Sequence, residues 1–178
     1  TVVDITQRVQ TQNKIEQLAS QLSKYLSPQV YKSIFSGKKN VKIEAYRKKL
    51  TVFFSDIKGF TEITDRLEPE VLSSLLNSYL NEMSQIALKH GGTIDKFVGD
   101  AILIFFGDPE TRGEKEDAKA CALMALEMRE RMKHLRKIWE DQGISNPLEI
   151  RIGINTGFCN VGNFGSEDRL DYTIIGNG

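Results

Sequence analysis

The apolar residues between positions 50 and 175 change period in a fixed order, and that order limits the fold more than any other feature of the chain. Residues 50–55 read as a buried strand. Leu72, Leu75, Leu76, Tyr79, Leu80, Met83, Ile86 and Ala87 then recur at helical spacing until Gly91-Gly92 stops them. Residues 93–98 and 101–106 flank Gly99-Asp100 as the two strands of a hairpin, with Asp100 at its tip. A second helical stripe of Cys121, Met124, Ala125, Met128, Leu135 and Ile138 runs through residues 114–141. Strand periodicity returns over 148–156, 158–164 and 170–175. The order β-α-β-β-α-β with an extra terminal hairpin predicts a ferredoxin-like α/β sandwich, an antiparallel sheet with its helices on one face.

Upstream of this pattern, residues 7–26 form a polar, helix-forming run with Ile15, Leu18, Leu22 and Tyr25 at a/d spacing. Such a seam suits a short parallel coiled coil that joins an upstream module to the domain, with packing of one amphipathic helix on its own domain as the alternative. Ser27-Pro28 is a helix start and Gly37 a helix stop. The opening Val2-Val3-Asp4-Ile5-Thr6 is β-branched and resembles the last strand of a PAS sensor domain. The expected organisation is therefore the end of a sensor module at 1–6, a signalling helix and linker at 7–48, and a main domain at 49–178.

Bulk charge narrows the function. The 24 Lys+Arg residues balance 24 Asp+Glu, so no global field favours nucleic acid or an anionic membrane, and any anion site must be local. The longest apolar stretch, residues 101–106, is far shorter than the roughly 20 residues of a membrane-spanning helix. Cys121 and Cys159 stand apart with no metal-binding or redox spacing, which fits a reducing, cytoplasmic setting in a parent that could itself be membrane-attached.

Asp56 leaves the end of one predicted strand and Asp100 sits on the hairpin that can pair beside it, so the two carboxylates can meet at one sheet edge. Taken singly, each is an ordinary capping or turn residue. Together they suit Mg²⁺ or Mn²⁺, which accept one or two carboxylates, a backbone carbonyl such as that of Ile57, and phosphate oxygens. Gly59-Phe60-Thr61 falls where strand turns to helix, and backbone N–H groups there can take a phosphate. Neither G-x-x-x-x-G-K-[ST] nor G-x-G-x-x-G is present, which removes support for a P-loop or dinucleotide fold.

Three segments carry a specific resemblance: Phe54-Ser55-Asp56-Ile57-Lys58-Gly59-Phe60-Thr61, Asp95-Lys96-Phe97-Val98-Gly99-Asp100-Ala101, and Arg151-Ile152-Gly153-Ile154-Asn155-Thr156-Gly157. In this order they resemble the signature segments of class III nucleotidyl cyclases, and the resemblance spans residues 49–178. It implies an adenylate cyclase domain of the bacterial type that converts ATP to cyclic AMP for signal transduction. Asp56 and Asp100 would hold two Mg²⁺ or Mn²⁺ ions with the Ile57 carbonyl. Lys96 matches the family's base-reading lysine, where guanylate cyclases resemble one another in having Glu. Thr173, in Asp171-Tyr172-Thr173-Ile174-Ile175-Gly176, matches the second base-reading position, and Arg151 an arginine that contacts the triphosphate.

The resemblance further implies a head-to-tail homodimer with its sites between subunits, and an upstream sensor. It places a transition-state Asn and Arg just past Gly178, so residues 1–178 alone are expected to turn over weakly or not at all. No protein nucleophile is needed, and His90 and His134 are read as helix-surface residues. A catalytically silent nucleotide-binding or dimerisation domain and a guanylate cyclase are the alternatives. A diguanylate cyclase would need a Gly-Gly-Asp/Glu-Glu-Phe turn where Val98-Gly99-Asp100-Ala101 stands.

Overall fold

The computed structural model describes residues 2–35, 43–144 and 147–176, divided into two compact units, residues 1–41 and 42–178. In the first unit, α1 (Val2–Leu22) ends in a short 3₁₀ turn over Ser23–Tyr25, and α2 (Pro28–Phe35) follows. The Ser27 hydroxyl caps α2 by accepting from the Val30 N–H at 3.3 Å, as the Ser-Pro start predicts. Ile15, Leu18, Leu22 and Tyr25 are all exposed.

The opening residues depart from expectation. Val2–Thr6 are helical, not a strand, and continue into α1. β-Branched residues lower helix propensity by only a few tenths of a kcal/mol each, whereas a strand without a neighbour leaves its backbone groups unpaired. The expected stop at Gly37 lies outside the described residues.

The second unit follows the predicted order. Its sheet contains β1 (Ala45–Ile57), β2 (Thr93–Val98), β3 (Ala101–Phe106), β4 (Ile150–Gly165) and β5 (Leu170–Gly176), and its helices are α3 (Phe60–Thr64), α4 (Pro69–His90) and α5 (Glu114–Asp141). The strands lie in the order β2-β3-β1-β4-β5, with every neighbouring pair antiparallel. This is the ferredoxin-like sheet with β5 added at the β4 edge.

Two strands are longer than the periodicity suggested. β1 begins at Ala45 because its basic start pairs with β4 along the whole strand, from Ala45 opposite Gly162 to Ile57 opposite Ile150. The predicted strands at 148–156 and 158–164 are one strand, since Gly157 keeps its ladder place opposite Leu50.

On one face, α4 and α5 cover the sheet. Tyr79 and Met83 of α4 and Met124 and Met128 of α5 pack with Phe53, Ile102 and Ile104. The α5 stripe drifts at its end: Trp139 is buried and Ile138 is not, because the i,i+4 step from Leu135 reaches Trp139. On the other face, Leu50, Phe105, Cys159 and Val161 are buried with Tyr172 and Ile174 of β5 packed against them. Asp108 fastens this second layer. Its buried carboxylate accepts from the Tyr46 and Tyr172 hydroxyls and from Lys48 Nζ at 3.1 Å. Among the described residues no helix is long and apolar enough to cross a membrane.

Candidate active site

β1 delivers Asp56 and Ile57 to one end of the sheet, and the β2–β3 turn delivers Asp100 to the same place. Asp100 Oδ2 accepts from the Ile57 N–H at 2.7 Å, which ties the hairpin tip to the end of β1. The turns on either side depend on glycine: Gly59 (φ +66°) opens α3 and Gly99 (φ +63°) precedes Asp100, both left-handed and both with open space where a side chain would start. The first N–H groups of α3, those of Phe60 and Thr61, lie where an intrahelical acceptor does not exist.

Below the carboxylates lies Tyr79. Burial pushes its phenol up to about 12, against the pull of its hydrogen bond with Ser55, and the charges of Asp100 and Asp56 add to the rise. One hydroxyl thus senses both acids.

Arg151 stands opposite Asp56 in the β1–β4 ladder and grips it with two parallel bonds, Nε to Oδ1 at 2.7 Å and Nη2 to Oδ2 at 2.9 Å. The paired carboxylate holds the guanidinium pKa above its usual value, through the hydrogen bond first and then through charge. Because Arg151 is largely exposed, this is a surface pair that an incoming cation can displace. Among the described residues no three His, Cys, Asp or Glu side chains gather in a metal-holding cluster. Two carboxylates and a nearby carbonyl still fit Mg²⁺ or Mn²⁺, which complete their shells with water and substrate phosphates and seldom use all-protein cages.

A second cluster joins the two outermost strands. Lys96 on β2 and Thr173 on β5 meet through Asp95, a residue that neither periodicity nor motif singles out. Thr173 Oγ1 donates to Asp95 Oδ2 at 2.5 Å, and Lys96 Nζ lies 3.5 Å from Asp95 Oδ1. The Asp95 side chain is only 1% exposed, while that of Lys96 is 41% exposed. Burial raises the Asp95 pKa; the bonds from Thr173, Lys96 and the Ile174 N–H oppose that rise.

A β-bulge makes the meeting possible. Ile94 pairs with Ile104 and Lys96 with Leu103, so Asp95 is the extra residue. Strict alternation would have sent Asp95 and Lys96 to opposite faces, which is why period alone hides the pair; an acidic residue inside an otherwise sheet-forming segment is the one sequence signal for it. Among the described residues no hydrogen bond or ion pair links this cluster to that of Asp56, Asp100 and Arg151.

Solved and curated nucleotidyl cyclases resemble the chain in sequence and, where structures are known, in fold. The chain is 66% identical to the adenylyl cyclase CyaB from P. aeruginosa over 75% of its own length and 68% of that chain, with a TM-score of 0.73. It is 38% identical to the guanylyl cyclase Cya2, covering 75% of this chain and 66% of that one, with a TM-score of 0.70. Adenylate cyclase 1 of Rhizobium meliloti is 35% identical over 134 residues, 74% of this chain and 19% of that much longer protein. The family model described as the adenylate and guanylate cyclase catalytic domain matches residues 41–178, and the chain therefore belongs to that family.

Proposed function

We propose that the domain converts ATP to 3′,5′-cyclic AMP and pyrophosphate, as the output of a sensor in a longer chain. The observation that carries this reading is the bond from the Ile57 N–H to Asp100, which holds two acids and a backbone carbonyl at one sheet end beside a helix-opening glycine turn. Asp56, Asp100 and the Ile57 carbonyl would hold two divalent ions. Bound there, such ions supply neutralisation of phosphate charge and a lowered pKa for the ribose 3′-hydroxyl.

The chain's own groups do the rest. The N–H groups of Gly59, Phe60 and Thr61 take phosphate oxygens at the start of α3. Arg151, which stands beside Asp56, would offer its planar fork to the triphosphate. Lys96 donates to the adenine N1, and Thr173 accepts from the 6-amino group. The reading includes the head-to-tail homodimer that the resemblance to class III cyclases implies, in which each subunit would supply one cluster to each site.

The nucleotide is the point on which relatives divide, since both an adenylyl and a guanylyl cyclase resemble the chain. A chain carried past Gly178, through the family's Asn and Arg, is to be incubated with Mn²⁺ and either ATP or GTP. Cyclic AMP as the main product supports the reading; cyclic GMP as the main product, or no product from a folded dimer, rejects it.

A further inference from the structure

We propose that Asp95 is a positioning residue for nucleotide choice: its buried carboxylate fixes the Thr173 hydroxyl as a hydrogen-bond acceptor toward the base and tethers Lys96 beside it. The proposal rests on the base-reading pair named above and assigns the group that sets its polarity.

Three donors converge on Asp95, namely the Thr173 hydroxyl, the Lys96 ammonium and the Ile174 N–H. No acceptor faces it among these partners, so the site suits an ionised carboxylate, which can only accept. A threonine hydroxyl has one proton and two lone pairs. Once that proton is given to Asp95 at 2.5 Å, only lone pairs remain for any other partner. Thr173 is buried, so its hydroxyl has little water to turn towards.

Lys96 keeps two of its three protons for the base after leaning on Asp95. The cluster therefore presents one donor and one acceptor in fixed order. Adenine presents the complement, an N1 acceptor beside a 6-amino donor. Guanine presents the reverse, an N1–H donor beside an O6 acceptor, and would set lone pair against lone pair at Thr173 and donor against donor at Lys96.

Asp95→Asn changes this polarity with almost no change in shape. The amide nitrogen can take the oxygen position that faces Thr173 and donate to it, so that the Thr173 proton is free to turn outward, while the amide oxygen still accepts from Lys96 and keeps its tether. The test compares ATP with purine riboside triphosphate, which keeps N1 but lacks the 6-amino group, in the chain carried past Gly178. Wild type should prefer ATP by about tenfold in kcat/KM, the worth of one hydrogen bond to the base. Asp95→Asn should lose that preference, chiefly through a higher KM for ATP, while purine riboside triphosphate changes less than about threefold.

Thr173→Val, which keeps the shape and removes the hydroxyl, should give the same loss, and adding Asp95→Asn to it should change the preference no further. A general loss of packing would lower both substrates alike in either variant, and that result overturns the proposal. So does a preference for ATP retained by both variants. Wild type that makes cyclic AMP but shows no preference over purine riboside triphosphate overturns this inference alone; wild type that makes none overturns the proposed function and this inference with it.

Discussion

Replacing Asp108 by alanine should destabilise the cyclase domain by about 3 kcal/mol, because its carboxylate joins the start of β1 to β5. Hydrogen bonds to a charged group contribute about 1.5–3 kcal/mol each. Tyr46 is 41% exposed and Lys48 about a third exposed, so both can recover water partners when Asp108 is lost. Tyr172 is half-buried against Phe105 and recovers less. One nearly full bond and two partial ones give the estimate, in line with the cost of breaking a buried charge pair. For a chain of this size the melting temperature should fall by about 6–12 °C. Urea unfolding followed by circular dichroism measures the free energy, with Tyr172→Phe expected to lose about half as much. Because Thr173 follows Tyr172, the KM for ATP should also rise. A loss below about 1 kcal/mol for Asp108→Ala would refute the claim that this carboxylate holds β5.

Three further outcomes follow from the site. Arg151→Gln should tighten Mn²⁺ binding about threefold or more in calorimetry while slowing cyclic AMP formation, since in the proposed site the guanidinium would compete with a cation for Asp56 and would contact the phosphates; weaker Mn²⁺ binding would reject the competition. Tyr79 is an acid whose folded pKa lies above its unfolded value of 10.0, so the native state holds its proton longer and stability falls as pH rises from 10 towards about 12. The loss reaches about 2–3 kcal/mol, and Tyr79→Phe should remove that part of the pH dependence in unfolding curves. Lys96→Glu should lower turnover of ATP by removing a donor to the base, and unchanged ATP kinetics would reject the role given to Lys96.

Long periodic elements were the most legible in the sequence. The limits of α5 and of the β2–β3 hairpin follow from an unbroken apolar stripe and a Gly-Asp turn, which local physics enforces with little tertiary help. Asp56 and Asp100 were readable as partners because both stand at strand ends. The bulge at Asp95 was not, since a one-residue slip in register costs nothing in composition and shows only where Leu103 finds its neighbour. Nor was the contact between β2 and β5, strands at opposite ends of the sheet order brought together at Asp95 and Thr173. The grip of Arg151 on Asp56 depends on ladder register between strands 95 residues apart. The β-branched opening residues point to a strand by propensity alone, whereas among the described residues no strand lies in register beside them and they are helical.

Cyclic AMP formation from ATP and Mn²⁺ by the chain carried past Gly178, measured beside Asp56→Ala and Asp100→Ala variants of equal fold and assembly, tests most directly whether the two carboxylates carry the reaction. Each substitution should lower turnover by at least about 100-fold, since each would remove a ligand from ions that stabilise the transferring phosphate by several kcal/mol. Turnover within a few-fold of wild type in either variant would contradict that role.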